Sequence, residues 1–314
     1  MTGRRTVIRA VQVVIVLAVI LFLVRSVSSN WEVVRAFDWS FDAGWLTLSV
    51  FLFLAAYAML PWIFGRVLAA AGHRIGFGDA WDIYFLGNLG RYLPGKVWVI
   101  LGVSYLAGQR GIPKPTAAAS AVFAQLYSLL SSIVFFFIFL IFTEFKGISP
   151  GIIWLLPAIL VVTVASLFPK PLERMVNALL IRIGKPVITV TFSSRDGLML
   201  TFLYFISWIV MGCAFGLLVT SVVGGGQVSI PGAAGMYVVA YAVGFFALFA
   251  PGGIGVREGI LGVMLGTQVP VSVAILIAAL ARLLVTAIEL LCVMVTVFRK
   301  GLKHGQKETR HQTA

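Results

Sequence analysis

Charged residues are scarce in this 314-residue chain, where they make up 11% of the sequence, while hydrophobic residues make up 60%. A soluble globular domain usually contains about a quarter charged residues, so the composition excludes that class. The apolar runs are long and unbroken. They also exclude a transmembrane β-barrel, whose short strands alternate polar and apolar residues. We therefore predict an all-α integral membrane protein of the inner (cytoplasmic) membrane.

Cysteine and histidine are also rare. The two cysteines, Cys213 and Cys292, lie within apolar runs, and the three histidines are scattered near predicted loops. They form no disulfide framework and no metal-ligand spacing, so we expect neither a metal nor a cofactor. Acidic residues are outnumbered, which gives a net charge of +13. The basic residues lie in short loops and at helix ends, a pattern that orients membrane helices rather than one that binds nucleic acid.

Six apolar runs are long enough to cross a bilayer. They cover about residues 7–24, 43–64, 116–142, 151–168, 197–220 and 271–298. The first run could also be a signal peptide, but its length favours an uncleaved span. Basic flanking residues predict that both termini are cytoplasmic. The same excess places the connection 169–196, with an amphipathic helix near 175–183, and a disordered tail, 299–314, in the cytoplasm.

Two further apolar segments are interrupted by proline, glycine and charged residues. The first, residues 80–109, contains GNLGRYLPGKVWV, and the second, residues 230–268, contains FAPGGIGVREG. Pro94 cannot donate a backbone N–H, and each arm of the first segment is too short to cross a core of about 30 Å. We interpret both segments as re-entrant pairs that enter and leave the membrane on one side. A single kinked spanning helix remains the alternative.

The order span, span, broken segment, span occurs twice, in residues 1–150 and again in residues 151–298. Each unit makes an odd number of crossings, so the second unit is expected to lie upside down relative to the first. Secondary transporters with such inverted repeats bind their substrates near mid-membrane, where the broken helices meet. The predicted fold is therefore six spanning helices plus two re-entrant segments in an inverted repeat.

Ionisable residues in the breaks and in the last span are the candidate binding residues. A charge in the membrane core costs several kcal/mol and usually faces a cavity or a partner. Four cations against two acids favour a bound anion such as phosphate, which Arg91 and Arg257 could hold together. The alternative is internal pairing, of Arg257 with Glu289 and of Arg282 with Glu258. The predicted substrate-binding residues are Asn88, Arg91, Tyr92, Lys96, Gly252, Gly253, Arg257, Glu258, Arg282 and Glu289.

Glycines in the breaks offer a second kind of anion contact. Backbone N–H groups that leave regular structure there can point at phosphate oxygens, as can the helix N-termini that follow each break. The glycines expected to act in this way are Gly95, Gly252, Gly253 and Gly255. Aromatic residues crowd the same stretches, and most of them are expected to pack helices or lie at the membrane interface.

The segments Asn88–Trp98 and Pro251–Gly259, together with Arg282, resemble a flippase-like family that shares the transmembrane domain of lysylphosphatidylglycerol synthase/flippases. The resemblance runs along nearly the whole chain. It implies translocation or handling of lipids, which in various members are aminoacylated phospholipids, polyprenyl-phosphate-linked sugars or hopanoids. The synthases carry a large soluble aminoacyl-transferase domain after the membrane part. This sequence has only the basic tail there, so we do not expect an enzyme.

The expected function is a flippase that binds an anionic lipid head group, phospholipid or polyprenyl-phosphate-linked, with membrane lipid and the bilayer as its partners. One alternative is a membrane-embedded lipid-pyrophosphate phosphatase, since re-entrant Pro-Gly segments with arginines also suit that chemistry. Phosphoryl transfer requires a nucleophile or base and usually a metal, and neither a histidine nor a close carboxylate pair accompanies these arginines. The other alternative is an accessory subunit of envelope lipid synthesis.

Overall fold

Every regular element in the described part of the chain is a helix. The computed structural model describes residues 31–93, 97–142, 157, 168–182, 184, 187, 192–247, 250 and 253–312. The α-helices are α1 (Trp31–Ala36), α2 (Ala43–Ala70), α3 (Phe77–Asn88), α4 (Val97–Gly108), α5 (Lys114–Phe142), α6 (Pro169–Arg182), α7 (Ser194–Val223), α8 (Ile230–Phe246), α9 (Val256–Leu265) and α10 (Val271–Gln312), and a short 3-10 helix (Leu89–Tyr92) follows α3. The prediction of an all-α membrane protein is confirmed.

Four helices of the described chain, α2, α5, α7 and α10, are long and apolar enough to cross a membrane. They correspond to the predicted second, third, fifth and sixth spans. The first predicted span, and all but two residues of the fourth, lie outside the described residues. Helix α2 continues past the expected end at Phe64, and Pro61 lies inside it. Helix α10 continues through Gln312, so the prediction of a disordered tail was wrong; the tail contains several Lys, Arg and Gln residues, which are good helix formers.

The first broken segment is an antiparallel helical hairpin, formed by α3, the 3-10 helix and α4, which we call the first hairpin. Each of its two α-helices has twelve residues, or about 18 Å of length, which is too short to cross a bilayer core. A Cβ atom on Gly90 would lie 2.5 Å from the carbonyl carbon of Trp98. Glycine therefore permits the close approach of the two arms, and the alternative of one kinked helix does not apply here.

The second broken segment also turns back on itself, through α8 and α9, which we call the second hairpin. Ser229 caps α8 by accepting a hydrogen bond from the N–H of Gly232 at 3.2 Å. Between the helices, Gly253 has a φ of 70°. A Cβ atom on it would lie 3.1 Å from the carbonyl oxygen of Gly244. Both the left-handed backbone and the tight contact favour glycine at this position.

Long helix, hairpin, long helix occurs twice along the chain, and the equivalent helices α2 and α7 are antiparallel. The N–H of Asp42, at the start of α2, donates to the carbonyl of Ser221 near the end of α7 at 2.8 Å, and the N–H of Ser40 donates to Val222 at 3.1 Å. One to two turns further along α2, the hydroxyl of Ser49 donates to the carbonyl of Ala214 at 2.7 Å. The two elements that occupy the same place in each half therefore run in opposite directions.

The contacts between the two halves are reciprocal. The first hairpin packs against α10, where the indole N–H of Trp81 donates to the carbonyl of Cys292 at 3.3 Å. The second hairpin packs against α5, where the ring of Phe139 fills the space beside Gly235. Each hairpin is thus packed on the last long helix of the other half, which brings the two hairpins to the middle of the molecule.

Candidate functional site

A cavity of about 160 Å³ lies between the two hairpins and the long helices. Seven of the ten predicted binding residues line it, namely Asn88, Arg91, Tyr92, Gly253, Arg257, Arg282 and Glu289. Glu258 instead lines a smaller neighbouring cavity with Arg257 and Arg282. Lys96 and Gly252 lie outside the described residues. The structure therefore brings both breaks and the charged part of α10 to one place.

Arg91 and Glu289 form an ion pair in the cavity. The Nη1 of Arg91 lies 2.6 Å from Glu289 Oε1, and the two side chains are 28% and 11% exposed. The hydroxyl of Tyr57 donates to the same oxygen at 3.0 Å, and the hydroxyl of Tyr92 donates to the other one. The Nη2 of Arg91 donates to the amide oxygen of Asn88 at 3.0 Å. Arg91 therefore lines the cavity with its guanidinium already bound to Glu289 and Asn88.

Glu258 also contacts other groups of the protein. Glu258 lies 3.8 Å from the Nε of Arg282, so one of the two internal pairings considered from the sequence is present. The other pairing, between Arg257 and Glu289, is not, because Glu289 contacts Arg91. Glu258 also accepts a hydrogen bond from the N–H of Gly255 at 2.6 Å. It therefore caps the N-terminus of α9, where a negative charge is stabilised by the helix dipole.

The glycine N–H groups that are described do not point at a ligand. The N–H of Gly253 donates to the carbonyl of Ala250 at 3.0 Å, and that of Gly255 donates to Glu258. The prediction of free anion-binding N–H groups was wrong for these two, because the turn and the helix cap use them. Gly95 and Gly252 lie outside the described residues.

Arg257 differs from the other arginines of the cavity. Its guanidinium carbon lies 4.7 Å from the ring centre of Tyr241 and 5.6 Å from that of Tyr237. Its Nη2 is 3.4 Å from the Tyr237 hydroxyl. In the described part of the chain, no carboxylate lies within 4.0 Å of it. Three arginines against Glu258 and Glu289 leave one positive charge, and the geometry assigns it to Arg257.

The wall of the cavity that α5 and α7 form contains residues that we did not predict as ligands. The ring of Trp208 lies 4.4 Å from that of Tyr241, and its indole N–H donates to the carbonyl of Ser128 in α5 at 2.9 Å. Gln125 lies one turn earlier on α5 and lines the cavity. The one side-chain amide of this predicted span was a signal in the sequence that could have identified this wall.

A second cluster of charges fastens the open end of the first hairpin. Arg110 contacts Asp79 at 2.7 Å and Asp82 at 3.1 Å. Arg299, at the end of the apolar part of α10, lies 4.0 Å from the other oxygen of Asp82. These contacts join both ends of the hairpin to each other and to α10.

Comparison with known proteins bears on the resemblance inferred from the motifs. No curated protein matches this chain. A family model described as "Lysylphosphatidylglycerol synthase TM region" matches residues 9–292. This range includes both hairpins and every residue named above as lining the cavity. The chain therefore belongs to the family of the lysylphosphatidylglycerol synthase TM region, as its two broken segments had indicated.

Proposed function

We propose that this protein is a lipid flippase that binds an anionic lipid head group in the cavity between its two hairpins. The observation that carries the proposal is the environment of Arg257. Its guanidinium lines the cavity, and two tyrosine rings hold it without neutralising it.

A cation in this position favours an anionic ligand on electrostatic grounds. An ionised group in an apolar interior is costly unless a partner compensates for the lost water. Contacts with aromatic faces contribute roughly 0.5–2 kcal/mol but leave N–H donors unused. A phosphate accepts two such donors from one guanidinium. A lipid phosphate therefore supplies what the described residues around Arg257 do not.

The proposed arrangement in the membrane is six spanning helices and two re-entrant hairpins in an inverted repeat, with residues 1–150 and 151–298 as the units and both termini in the cytoplasm. The antiparallel course of α2 and α7 supports the inversion. So does the crossed packing of each hairpin on the last long helix of the other half. In transporters of this design the site stays near mid-membrane while the halves rock around it.

We further propose that lipid is moved without being chemically changed. Of the described acids beside the cavity, Glu289 is paired with Arg91 and Glu258 is paired with Arg282. Among the described residues, this leaves neither carboxylate free to act as a base that activates a nucleophile. This supports binding and movement over the phosphatase alternative.

Reconstituted vesicles test the proposal with Arg257→Gln, which removes the charge and keeps a polar side chain. Translocation of a fluorescent anionic phospholipid, measured by quenching from outside, should fall by tenfold or more, since roughly 1.4 kcal/mol of lost binding already amounts to a factor of ten. Arg66→Gln is the matched control, because Arg66 is exposed and also lies over an aromatic ring, at 5.5 Å from Trp62.

Both variants should elute as single species and melt within a few degrees of the wild type. A wild-type rate in Arg257→Gln would contradict the anion site. An equal loss in Arg66→Gln would mean that the effect is not specific to the cavity.

A further inference from the structure

The cavity has a second, uncharged wall that is continuous with Arg257. The Arg257 guanidinium packs on Tyr241 at 4.7 Å, and Tyr241 packs on Trp208 at 4.4 Å. Trp208 is anchored to the carbonyl of Ser128, and Gln125 lies one turn away on the same helix. A cation, two aromatic rings and an amide therefore follow one another along the cavity.

The amide of Gln125 is available for a ligand. It lines the cavity, and it makes no hydrogen bond with any other residue in the described ranges. An amide offers two N–H donors and one carbonyl acceptor. Such a mixed set matches hydroxyl groups, which both donate and accept. Aromatic faces beside it suit the C–H surface of a polyol or sugar.

No described carboxylate of the cavity is available for a cationic ligand. Glu289 is compensated by Arg91 and by two tyrosine hydroxyls. Glu258 faces Arg282 and caps α9. The faces of Tyr237 and Tyr241 already hold the guanidinium of Arg257. An ammonium group would therefore meet a cavity with surplus positive charge and no free acid.

From these contacts we infer that the site selects a phosphodiester lipid whose head group is an uncharged polyol, and that it discriminates against aminoacylated head groups. The phosphate binds Arg257, and the hydroxyl-bearing part lies along Trp208 with its hydroxyls on Gln125. Gln125 is thus a specificity-determining residue. The inference rests on the proposed function, since it names the substrate class of the same site.

Binding of short-chain lipids to the purified full-length protein, measured by titration calorimetry, tests the selectivity. The probes are dioctanoyl phosphatidylglycerol, dioctanoyl phosphatidylmethanol and dioctanoyl lysylphosphatidylglycerol. Phosphatidylglycerol should bind about tenfold more tightly than the lysyl ester, because like charges disfavour the ester. It should also bind several-fold more tightly than phosphatidylmethanol, a phosphodiester of the same charge that lacks the polyol. Soluble glycerol phosphate should bind more weakly than any lipid for which binding is detected, because it has no acyl chains to bury.

Gln125→Leu isolates the polyol contact. It should lower the affinity for phosphatidylglycerol to the level of phosphatidylmethanol while leaving phosphatidylmethanol binding unchanged. Retained phosphatidylmethanol binding also shows that the variant is folded. Should the variant lose affinity for both lipids equally, Gln125 supports the structure and does not select the head group.

The outcomes separate this inference from the proposed function. Equal or tighter binding of the lysyl ester overturns the charge selection and leaves a lipid carrier in place. Equal binding of phosphatidylglycerol and phosphatidylmethanol overturns the polyol subsite alone. Failure of every lipid to bind, together with flux that does not depend on Arg257, removes both the inference and the proposed function. Glycerol phosphate binding as tightly as the lipids would show that the site serves soluble phosphate esters.

Discussion

The Arg91–Glu289 pair provides a quantitative test of how the cavity is held together. Arg91→Ala leaves Glu289 without a cation, and its side chain is only 11% exposed. Breaking a buried ion pair from one side costs about 3–5 kcal/mol. Arg91 is 28% exposed, and the hydroxyls of Tyr57 and Tyr92 still donate to the carboxylate. We therefore expect a loss of about 2–3 kcal/mol in the free energy of unfolding.

The reverse substitution should cost less. Glu289→Gln removes the negative charge, and the more exposed Arg91 keeps Asn88 and access to water, so we expect a loss of about 1–2 kcal/mol. The double variant should be more stable than the sum of the two losses implies, by about 1–2 kcal/mol, because neither side chain then leaves a charge behind.

Reversible unfolding in bicelles by steric trapping measures these free energies directly. Arg66→Ala serves as the control, with an expected change within about 0.5 kcal/mol for an exposed side chain. The reasoning would be refuted if Arg91→Ala cost no more than this control. It would also be refuted if the double variant equalled the sum of the single losses to within about 0.5 kcal/mol.

Two further predictions concern the first hairpin and its attachment. Gly90→Ala should destabilise the protein by more than about 1 kcal/mol in the same unfolding assay, because the new Cβ would meet the backbone of Trp98 and overpacking typically costs about 1–3 kcal/mol. In the control Gly259→Ala the new Cβ has open space, so this variant should be neutral or slightly stabilised. Equal effects of the two substitutions would contradict the close approach of the two arms. Asp82→Asn should lower the melting temperature more than Asp79→Asn, because the side chain of Asp82 is 8% exposed and that of Asp79 is 52% exposed. The opposite order would show that burial does not determine how much each carboxylate of this cluster contributes to stability.

The overall architecture was largely predictable because it depends on gross properties of the sequence. Long apolar runs gave the positions of α2, α5, α7 and α10, and proline and glycine located both breaks. The predicted positions of the helix ends were less accurate. Helix α2 continued through Arg66 because a single charge near a helix end can extend to the interface, so it does not by itself end a span.

The partners of the cavity charges could not be predicted from sequence alone. The alternative of internal pairing placed Glu289 with Arg257, but its partner is Arg91, which comes from a hairpin almost two hundred residues earlier. The choice depends on how the hairpin packs on α10, which no local pattern specifies. The glycines misled us for a related reason. Their spacing indicated a turn, and only the structure shows that the turn itself uses the N–H groups.

The hydrogen bonds that join the start of α2 to the end of α7 restrict how the molecule can move. The carbonyls of Ser221 and Val222 lie in the last turn of α7, where a helix has no internal donors for its carbonyl groups, and the N–H groups of Ser40 and Asp42 satisfy them. Parting the two helices would break both hydrogen bonds and the buried one between Ser49 and Ala214, at a net cost of about 0.5–1.5 kcal/mol each. In the proposed transport cycle, the two halves are therefore expected to rock about this edge, which stays closed while the hairpins move.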